Sequence, residues 1–160
     1  MDRVNLEVHK KFVLEYPDSL EQAVLYLTDV QKSLAHVQFI QGLRLEQNHI
    51  YADLVVDVPV LGTQRLDFHS VLEPHNTGAN LIAQPLQGRA WAEVSGLGSA
   101  VEINQRVEIH YALSIVVHLE LPSADKWGGR AFEKMVQATA KTAIERMTKD
   151  FGQGVLNGMR

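Results

Sequence analysis

The last third of the chain changes its hydrophobic period. Over residues 101–121 apolar side chains alternate with polar ones, which is the pattern of a half-buried strand. From Ser123 onward they recur every third or fourth position, as on one face of a helix, at Trp127, Phe132, Met135, Val136, Thr139, Ala143, Met147 and Phe151. Because such a stripe needs an apolar partner, a long helix after a block of strands must pack against them. The pattern predicts an α+β fold in which a curved sheet wraps around a C-terminal helix.

The bounds of this helix follow from its glycines. It is predicted to start at Ser123, or at Gly129 if the Gly128-Gly129 pair delays it, and to end at Phe151. Gly152 and Gly154 are interpreted as its stop signals, since glycine commonly ends helices.

The first forty residues predict one strand followed by helix. Residues 2–16 alternate in the manner of a strand, and Pro17 ends it. Asp18, with Glu21 three positions later, is similar to a capping box at a helix start. A break near Thr28-Asp29 leaves two alternatives open, one continuous helix or two short ones.

The middle of the chain is predicted to be a run of hairpins. Strands are predicted at residues 39–47, 50–58, 63–73, 79–86, 89–95 and 100–121, the last two joined through Gly96-Leu97-Gly98. Short connections require antiparallel neighbours. With the first strand this gives seven strands, and an antiparallel sheet of that size must twist and curl.

Composition narrows the class of protein. At 160 residues with 46% hydrophobic side chains, the chain is expected to form a single globular domain over residues 1–160. Its net charge of -4 argues against a nucleic-acid partner, which calls for a basic surface. The absence of cysteine excludes disulfides, thiolate nucleophiles and Cys-based zinc sites.

Nothing in the sequence predicts a targeting or membrane-spanning segment. The first residues are charged and form no apolar leader core, and no stretch approaches about 18 consecutive apolar residues. A cytoplasmic protein without stable membrane insertion is the expectation.

Two local motifs accompany this order of elements. Gly42-Leu43-Arg44-Leu45 leads into residues 50–56, and Gly128-Gly129-Arg130-Ala131-Phe132 precedes the closing helix. The chain resembles the START-like, helix-grip superfamily, also called SRPBCC, over nearly its whole length. In these motifs it is similar to the G-type proteins of carbon monoxide dehydrogenase, to polyketide cyclase-like proteins and to a small uncharacterised bacterial group. The resemblance implies a hydrophobic or amphipathic ligand between sheet and helix, and no cofactor.

Strand parity selects the side chains expected to line such a cavity. Apolar walls with a few polar groups suit a small-molecule site, in which the polar groups orient the ligand. The predicted polar contributors are Gln41, Ser70, Gln105 and Tyr111. The predicted apolar contributors and helix residues are Leu54, Leu66, Phe68, Trp91, Ile109, Phe132, Met135, Val136 and Thr139.

The histidines and serines form no recognisable catalytic or metal motif. His110 and His118 share a strand face but lie about 26 Å apart, too far to bind one ion. His69, Glu73 and His75 lack the spacing of zinc ligands, and no Gly-x-Ser-x-Gly nucleophile motif occurs. No metal site and no catalytic residue is therefore predicted.

Three functions stay open on this reading. The leading hypothesis is a non-enzymatic binder or carrier of a hydrophobic or amphipathic small molecule. A cyclase-like or hydrolase-like enzyme would instead place acid–base residues such as Glu93, Asp67 or His69 in the cavity. A protein-interaction module would have a filled core and a large exposed apolar patch.

Overall fold

A computed structural model describes residues 2–59, 61–121 and 129–159. Its strands are β1 (Asp2–Tyr16), β2 (Ile40–Glu46), β3 (His49–Val58), β4 (Gly62–His75), β5 (Gly78–Gln84), β6 (Ala90–Ile103) and β7 (Arg106–Leu121). Its helices are α1 (Leu20–Thr28), α2 (Val30–Ser33), α3 (Arg130–Lys149) and α4 (Phe151–Gly158). The strands form one curved antiparallel sheet in the order β1-β7-β6-β5-β4-β3-β2. The predicted α+β helix-grip architecture is confirmed.

The core lies between the concave face of this sheet and the helices. Side chains that are almost fully buried come from the sheet at Ile50, Leu54, Leu66, Ile109, Ile115 and Val117, and from the closing helices at Val136, Ile144 and Val155. Helix α3 packs against β1 and β3, whereas α1 covers β5 and β6. No helix in the described part of the chain is long and apolar enough to span a membrane.

The strand predicted at residues 2–16 is confirmed as β1, which pairs with β7 along its whole length. Of the two helical alternatives, two short helices is the correct one. Asp29 separates them because its carboxylate accepts a hydrogen bond of 3.2 Å from the Lys32 amide and so begins α2. The cap of α1 is Ser19, whose hydroxyl accepts from the Gln22 amide, and not Asp18.

The boundary between the last two strands was predicted wrongly. Strand β6 runs through Gly96-Leu97-Gly98 without a turn and ends at Ile103. The hairpin turns instead at Asn104 and Gln105, whose φ angles are +50° and +68°. Positive φ at both central residues is typical of the two-residue turn that suits the twist of a β-hairpin.

The glycines inside β6 are there because its inner face is crowded. A Cβ atom at Gly98 would lie 2.8 Å from Cδ2 of Leu27 in α1 and 3.4 Å from the ring of Tyr111 on β7. Gly98 and Tyr111 are cross-strand partners, so the aromatic ring covers the bare backbone. Close approach, and not a turn, explains these residues.

The closing helix starts at the later of the two predicted positions. Gly129, with a φ of +93°, is the N-cap residue of α3, and a start at Ser123 lies outside the described residues. Its predicted end is wrong, since α4 continues to Gly158 after a break at Asp150.

Gly154 permits this continuation. A Cβ atom there would lie 2.8 Å from the carbonyl oxygen of His36 and from Cα of Val37, so only glycine lets α4 approach the segment after α2. Glycine here serves helix packing and does not stop the helix.

The apolar stripe of the helices was predicted in part. Val136, Met147 and Phe151 are buried as expected. Met135 is wrong, because it is 48% exposed. Ala140 and Ile144, rather than Thr139 and Ala143, form the most buried line of α3. The stripe is rotated by about one position from the predicted one.

Candidate functional site

Two spaces lie between the sheet and the helices, and they differ in size and chemistry. The first is an apolar cavity of about 70 Å³ that α1, α2, the strands β3 to β7 and Phe151 enclose. Its lining residues are Leu27, Val30, Ser33, Leu34, Ile50, Leu72, Ala79, Leu81, Gly96, Leu97, Gly98, Tyr111, Ala112, Leu113 and Phe151. Binding sites for small molecules usually measure about 300–1,000 Å³, so this cavity is too small for such a ligand.

An aromatic cluster explains why the cavity is small. Tyr111 stacks on Phe12 with ring centroids 5.1 Å apart and meets Phe151 edge-on at 5.7 Å. Phe151 also contacts Phe12 and Phe39. These four rings fill the space between β1, β7 and the start of α4.

Tyr111 is the main polar group at this cavity. Burial raises the pKa of its hydroxyl far above the usual value of a tyrosine. The hydroxyl therefore stays neutral at physiological pH and cannot act there as a phenolate base. Its predicted place beside an interior space is correct.

The second space is a groove of about 520 Å³ between α3 and the C-terminal end of β3. Its lining residues are Val55, Val56, Asp57, Pro59, Ala138, Thr139, Thr142, Ala143, Arg146, Met147 and Asp150. This volume lies within the range of small-molecule sites.

The groove exists because β2 is shorter than β3. Pairing between β2 and β3 ends at Ile40 and Leu54, and one further hydrogen bond of 2.9 Å runs from the Val55 amide to the Phe39 carbonyl. Beyond that point β3 has no neighbouring strand on the β2 side within the described residues, so α3 lies beside an open strand edge. Small side chains at Ala138 and Ala143 leave the space between them unfilled.

The floor of the groove is apolar and its rim is polar. Val56 and Met147 are buried at the floor, whereas Asp57, Arg146 and Asp150 are exposed at the rim. No side-chain hydrogen bond or ion pair joins Arg146 or Asp150 to another residue of the described part.

The threonines of the groove use their protons within the helix. The Thr139 hydroxyl donates to the Met135 carbonyl at 2.7 Å, and the Thr142 hydroxyl donates to the Ala138 carbonyl at 3.0 Å. Each hydroxyl therefore offers only acceptor lone pairs to a molecule in the groove.

The structure disperses the residues predicted to bind a ligand. Thr139 lies at the groove and Tyr111 at the cavity. Five others are buried in the core and line neither space, namely Leu54, Leu66, Phe68, Ile109 and Val136. Ser70 is also fully buried, and its hydroxyl donates to the Val94 carbonyl at 2.6 Å, which is a structural role.

Inward orientation was predicted wrongly for two glutamines. Gln105 belongs to the exposed turn between β6 and β7. Gln41 is exposed on the outer face of the sheet, where its side-chain oxygen accepts from Arg65 at 3.3 Å, and a bulge between Gln41 and Arg44 interrupts the strand parity. The side chain of Phe132 lies outside the described residues.

Trp91 also faces away from the predicted site. On β6 the inward residues are Ala92 and Val94, so Trp91 lies on the outer face opposite His118. The two rings stack with centroids 3.8 Å apart. The indole N–H of Trp91 is buried without a hydrogen-bond partner among the described residues.

The candidate acid–base residues lie on the outer face too. Asp67 and His69 alternate away from buried Leu66 and Phe68, as predicted, and Glu93 contacts His118 at 3.4 Å. In the described part of the chain, no group of three or more His, Cys, Asp or Glu side chains converges on a point where a metal ion would bind.

The groove residues Val55, Thr142, Arg146 and Asp150 were missed. One sequence signal for them exists, a run of small residues at Ala138, Thr139, Thr142 and Ala143 beside the apolar stripe of the helix. Small side chains on the flank of a packed helix leave space next to it.

Comparison with known proteins sets this arrangement in a family. A family model described as "Protein of unknown function (DUF3809)" matches residues 11–149. The chain belongs to the DUF3809 family. No curated protein matches the sequence of this DUF3809 member.

Solved structures share the fold at low sequence identity. The Zhui aromatase/cyclase from Streptomyces sp. R1128 is 13% identical, with a TM-score of 0.60 over 96% of this chain and 93% of that chain. A conserved protein from Geobacillus kaustophilus is 16% identical, with a TM-score of 0.53 over 96% of each chain.

A third structure is the di-domain aromatase/cyclase StfQ from the steffimycin biosynthetic pathway. It is 13% identical, with a TM-score of 0.54 over 96% of this chain and 50% of StfQ. At these identities the likeness establishes a common helix-grip fold for the DUF3809 chain and the aromatase/cyclases.

Proposed function

We propose that the protein binds a hydrophobic or amphipathic small molecule in the groove between α3 and the C-terminal end of β3. The observation that carries this proposal is the groove itself, with a volume of about 520 Å³, an apolar floor and a polar rim. Apolar burial would supply most of the affinity, at roughly 25 cal/mol per Å² of surface removed from water. The fold shared with aromatase/cyclases supports a small-molecule ligand over a macromolecular one.

Binding is favoured over catalysis by the character of the polar groups. The two carboxylates of the groove, Asp57 and Asp150, are both exposed, and no histidine, tyrosine or lysine is among the described residues that line it. Acid–base catalysis relies on groups whose pKa is tuned by a dry environment. An exposed rim does not provide one.

A neutral apolar dye tests the proposal directly. N-phenyl-1-naphthylamine is titrated into the purified protein, and its fluorescence is expected to rise to saturation at one dye per chain. In Thr142→Trp the indole fills the groove from an exposed helix position, so dye affinity should fall by at least about tenfold, given that a filled site removes most of the buried contact area.

Lys141→Trp is the matched control, because it adds the same ring to an exposed position of α3 that does not line the groove. It should bind dye as the unmodified protein does. Absence of saturable binding, or equal affinity in Thr142→Trp and Lys141→Trp, would refute the assignment of the groove.

A further inference from the structure

The polar groups around the groove are unequal in kind. Apart from the Arg146 guanidinium, every polar side chain of the described lining presents acceptors, namely Asp57, Asp150, Thr139 and Thr142. The threonine hydroxyls have their protons committed to carbonyl oxygens of α3. A ligand that satisfies these groups must itself bring hydrogen-bond donors.

Charge points in the same direction. The rim carries two carboxylates and one guanidinium, and the whole chain has a net charge of -4. One oxygen of Asp57 accepts from the Thr63 hydroxyl at 2.5 Å, which holds the carboxylate in place and leaves its second oxygen for another donor. Asp150 makes no side-chain hydrogen bond to the start of α4 that would occupy it.

From this distribution of donors and charge we infer that the ligand of the groove is an amphipathic amine. Its alkyl or aryl body lies against Val55, Val56, Ala143 and Met147, and its protonated nitrogen donates to Asp57 and Asp150. This inference rests on the proposed function, since it assigns a ligand class to the same groove. An ammonium head group is protonated at neutral pH in the way a lysine side chain is.

The experiment compares two probes with the same chain and opposite charge. Decylamine and decanoate are titrated by calorimetry at pH 7 and low salt, each below the concentration at which it forms micelles. The unmodified protein is expected to bind decylamine about tenfold more tightly, because two exposed carboxylates attract one head group and repel the other. Raising the salt concentration should shrink the difference, since exposed charges are screened.

Removal of the carboxylates supplies the second arm. The double variant Asp57→Asn with Asp150→Asn should bind the two probes with nearly equal affinity. The double variant Glu21→Gln with Glu102→Gln removes two exposed carboxylates that do not line the groove and should keep the preference for the amine.

The outcomes separate this inference from the proposed function. If decanoate binds as tightly as decylamine, or if the double asparagine variant keeps the preference, the amine assignment is wrong while a ligand groove remains. If neither probe binds and the neutral dye does not bind either, the proposed function fails and the amine assignment fails with it.

Discussion

The hydroxyl of Tyr26 in α1 donates a hydrogen bond of 2.6 Å to the backbone carbonyl of Val155 in α4. The carbonyl belongs to the last turn of α4, where oxygen atoms lack partners within the helix. The bond therefore joins the first helix to the last one, across the end of the sheet where the aromatic cluster lies.

Replacement of Tyr26 by phenylalanine should lower the free energy of unfolding by about 1–3 kcal/mol, because the buried ring is kept while the Val155 carbonyl loses its partner. Urea denaturation of both proteins at pH 7 measures the difference. Equal midpoints would show that water replaces the hydroxyl without cost.

Tyr26 also predicts how the fold responds to alkali. Burial, followed by the nearby Tyr16 and Asp29, raises the pKa of its hydroxyl to about 12. The unfolded chain ionises near pH 10 while the native protein keeps its proton, so this contribution to stability is complete below pH 10 and is lost as the pH rises through about 12. Tyr26→Phe should lose less stability over that interval, which urea midpoints at pH 9 and pH 11 compare.

The glycines of α4 give a prediction of opposite signs on one helix. A Cβ atom at Gly158 would lie 2.5 Å from the Tyr26 hydroxyl oxygen and 2.8 Å from the Lys32 carbonyl oxygen, whereas at Gly152 it would lie 3.4 Å from the ring of Phe12. Gly158→Ala should therefore destabilise by about 1–3 kcal/mol through overpacking. Gly152→Ala, the control, should be neutral or gain up to about 1 kcal/mol from helix propensity.

Thermal melts of both variants decide the point. A loss of stability in Gly152→Ala as large as in Gly158→Ala would mean that helix geometry, and not the close approach to Tyr26, sets the need for glycine.

These glycines show how far the sequence carries the fold. Alternation fixes which side chains of β1 and β7 point inward, because a strand has a period of two and one face is buried. A glycine has no such single meaning. Gly98 and Gly154 stand where another element comes close, and only the three-dimensional arrangement distinguishes that from a turn or a helix end.

The candidate site was less predictable than the fold for a related reason. The groove depends on β2 ending opposite Leu54 while β3 continues, and on α3 lying beside the edge that this leaves open. Neither relation is local in sequence. Parity placed Leu54 and Ile109 in the interior correctly, but the interior is filled by aromatic rings, so facing inward did not make those residues part of a ligand site.

A pair of like charges on the outer face provides another prediction. Asp53 and Asp67 are direct cross-strand partners on β3 and β4, and Arg65 lies 3.0 Å from the carboxylate of Asp53. The hydrogen bond between the two carboxyl groups, followed by burial, raises the pKa of Asp67. Asp67→Asn should stabilise the protein at pH 7 by about 0.2–1 kcal/mol, because the amide donates to Asp53 and carries no charge.

The same pair fixes the sign of a pH effect. Because the pKa of Asp67 is raised on folding, the native state holds this proton more tightly, and its contribution to stability grows as the pH falls from above that pKa toward 3.8. The advantage of Asp67→Asn over the unmodified protein should therefore shrink on acidification, which urea midpoints at pH 7 and pH 4.5 compare. An advantage that grows on acidification would contradict the carboxyl–carboxylate pairing.

The last prediction concerns two histidines that share one hydrogen bond. Nδ1 of His49 and Nε2 of His69 lie 2.8 Å apart, and the Tyr51 ring stacks on His69 at 4.4 Å. One nitrogen must donate and the other accept, so the bond is incompatible with a proton on both. Burial, followed by repulsion from His49, lowers the pKa of His69, against the attraction of Glu46.

A histidine with a lowered pKa resists protonation in the native state while the unfolded chain takes up its proton near pH 6.5. The stability that the pair contributes is thus present above pH 6.5 and is lost as the pH falls through the native pKa. His69→Gln keeps a side-chain amide in place of the ring and removes this titration, so its stability should vary less between pH 7 and pH 5 than that of the unmodified protein. Imidazole NMR titration provides the direct check, since a His69 pKa above 6.5 would mean that the shared hydrogen bond does not persist in solution.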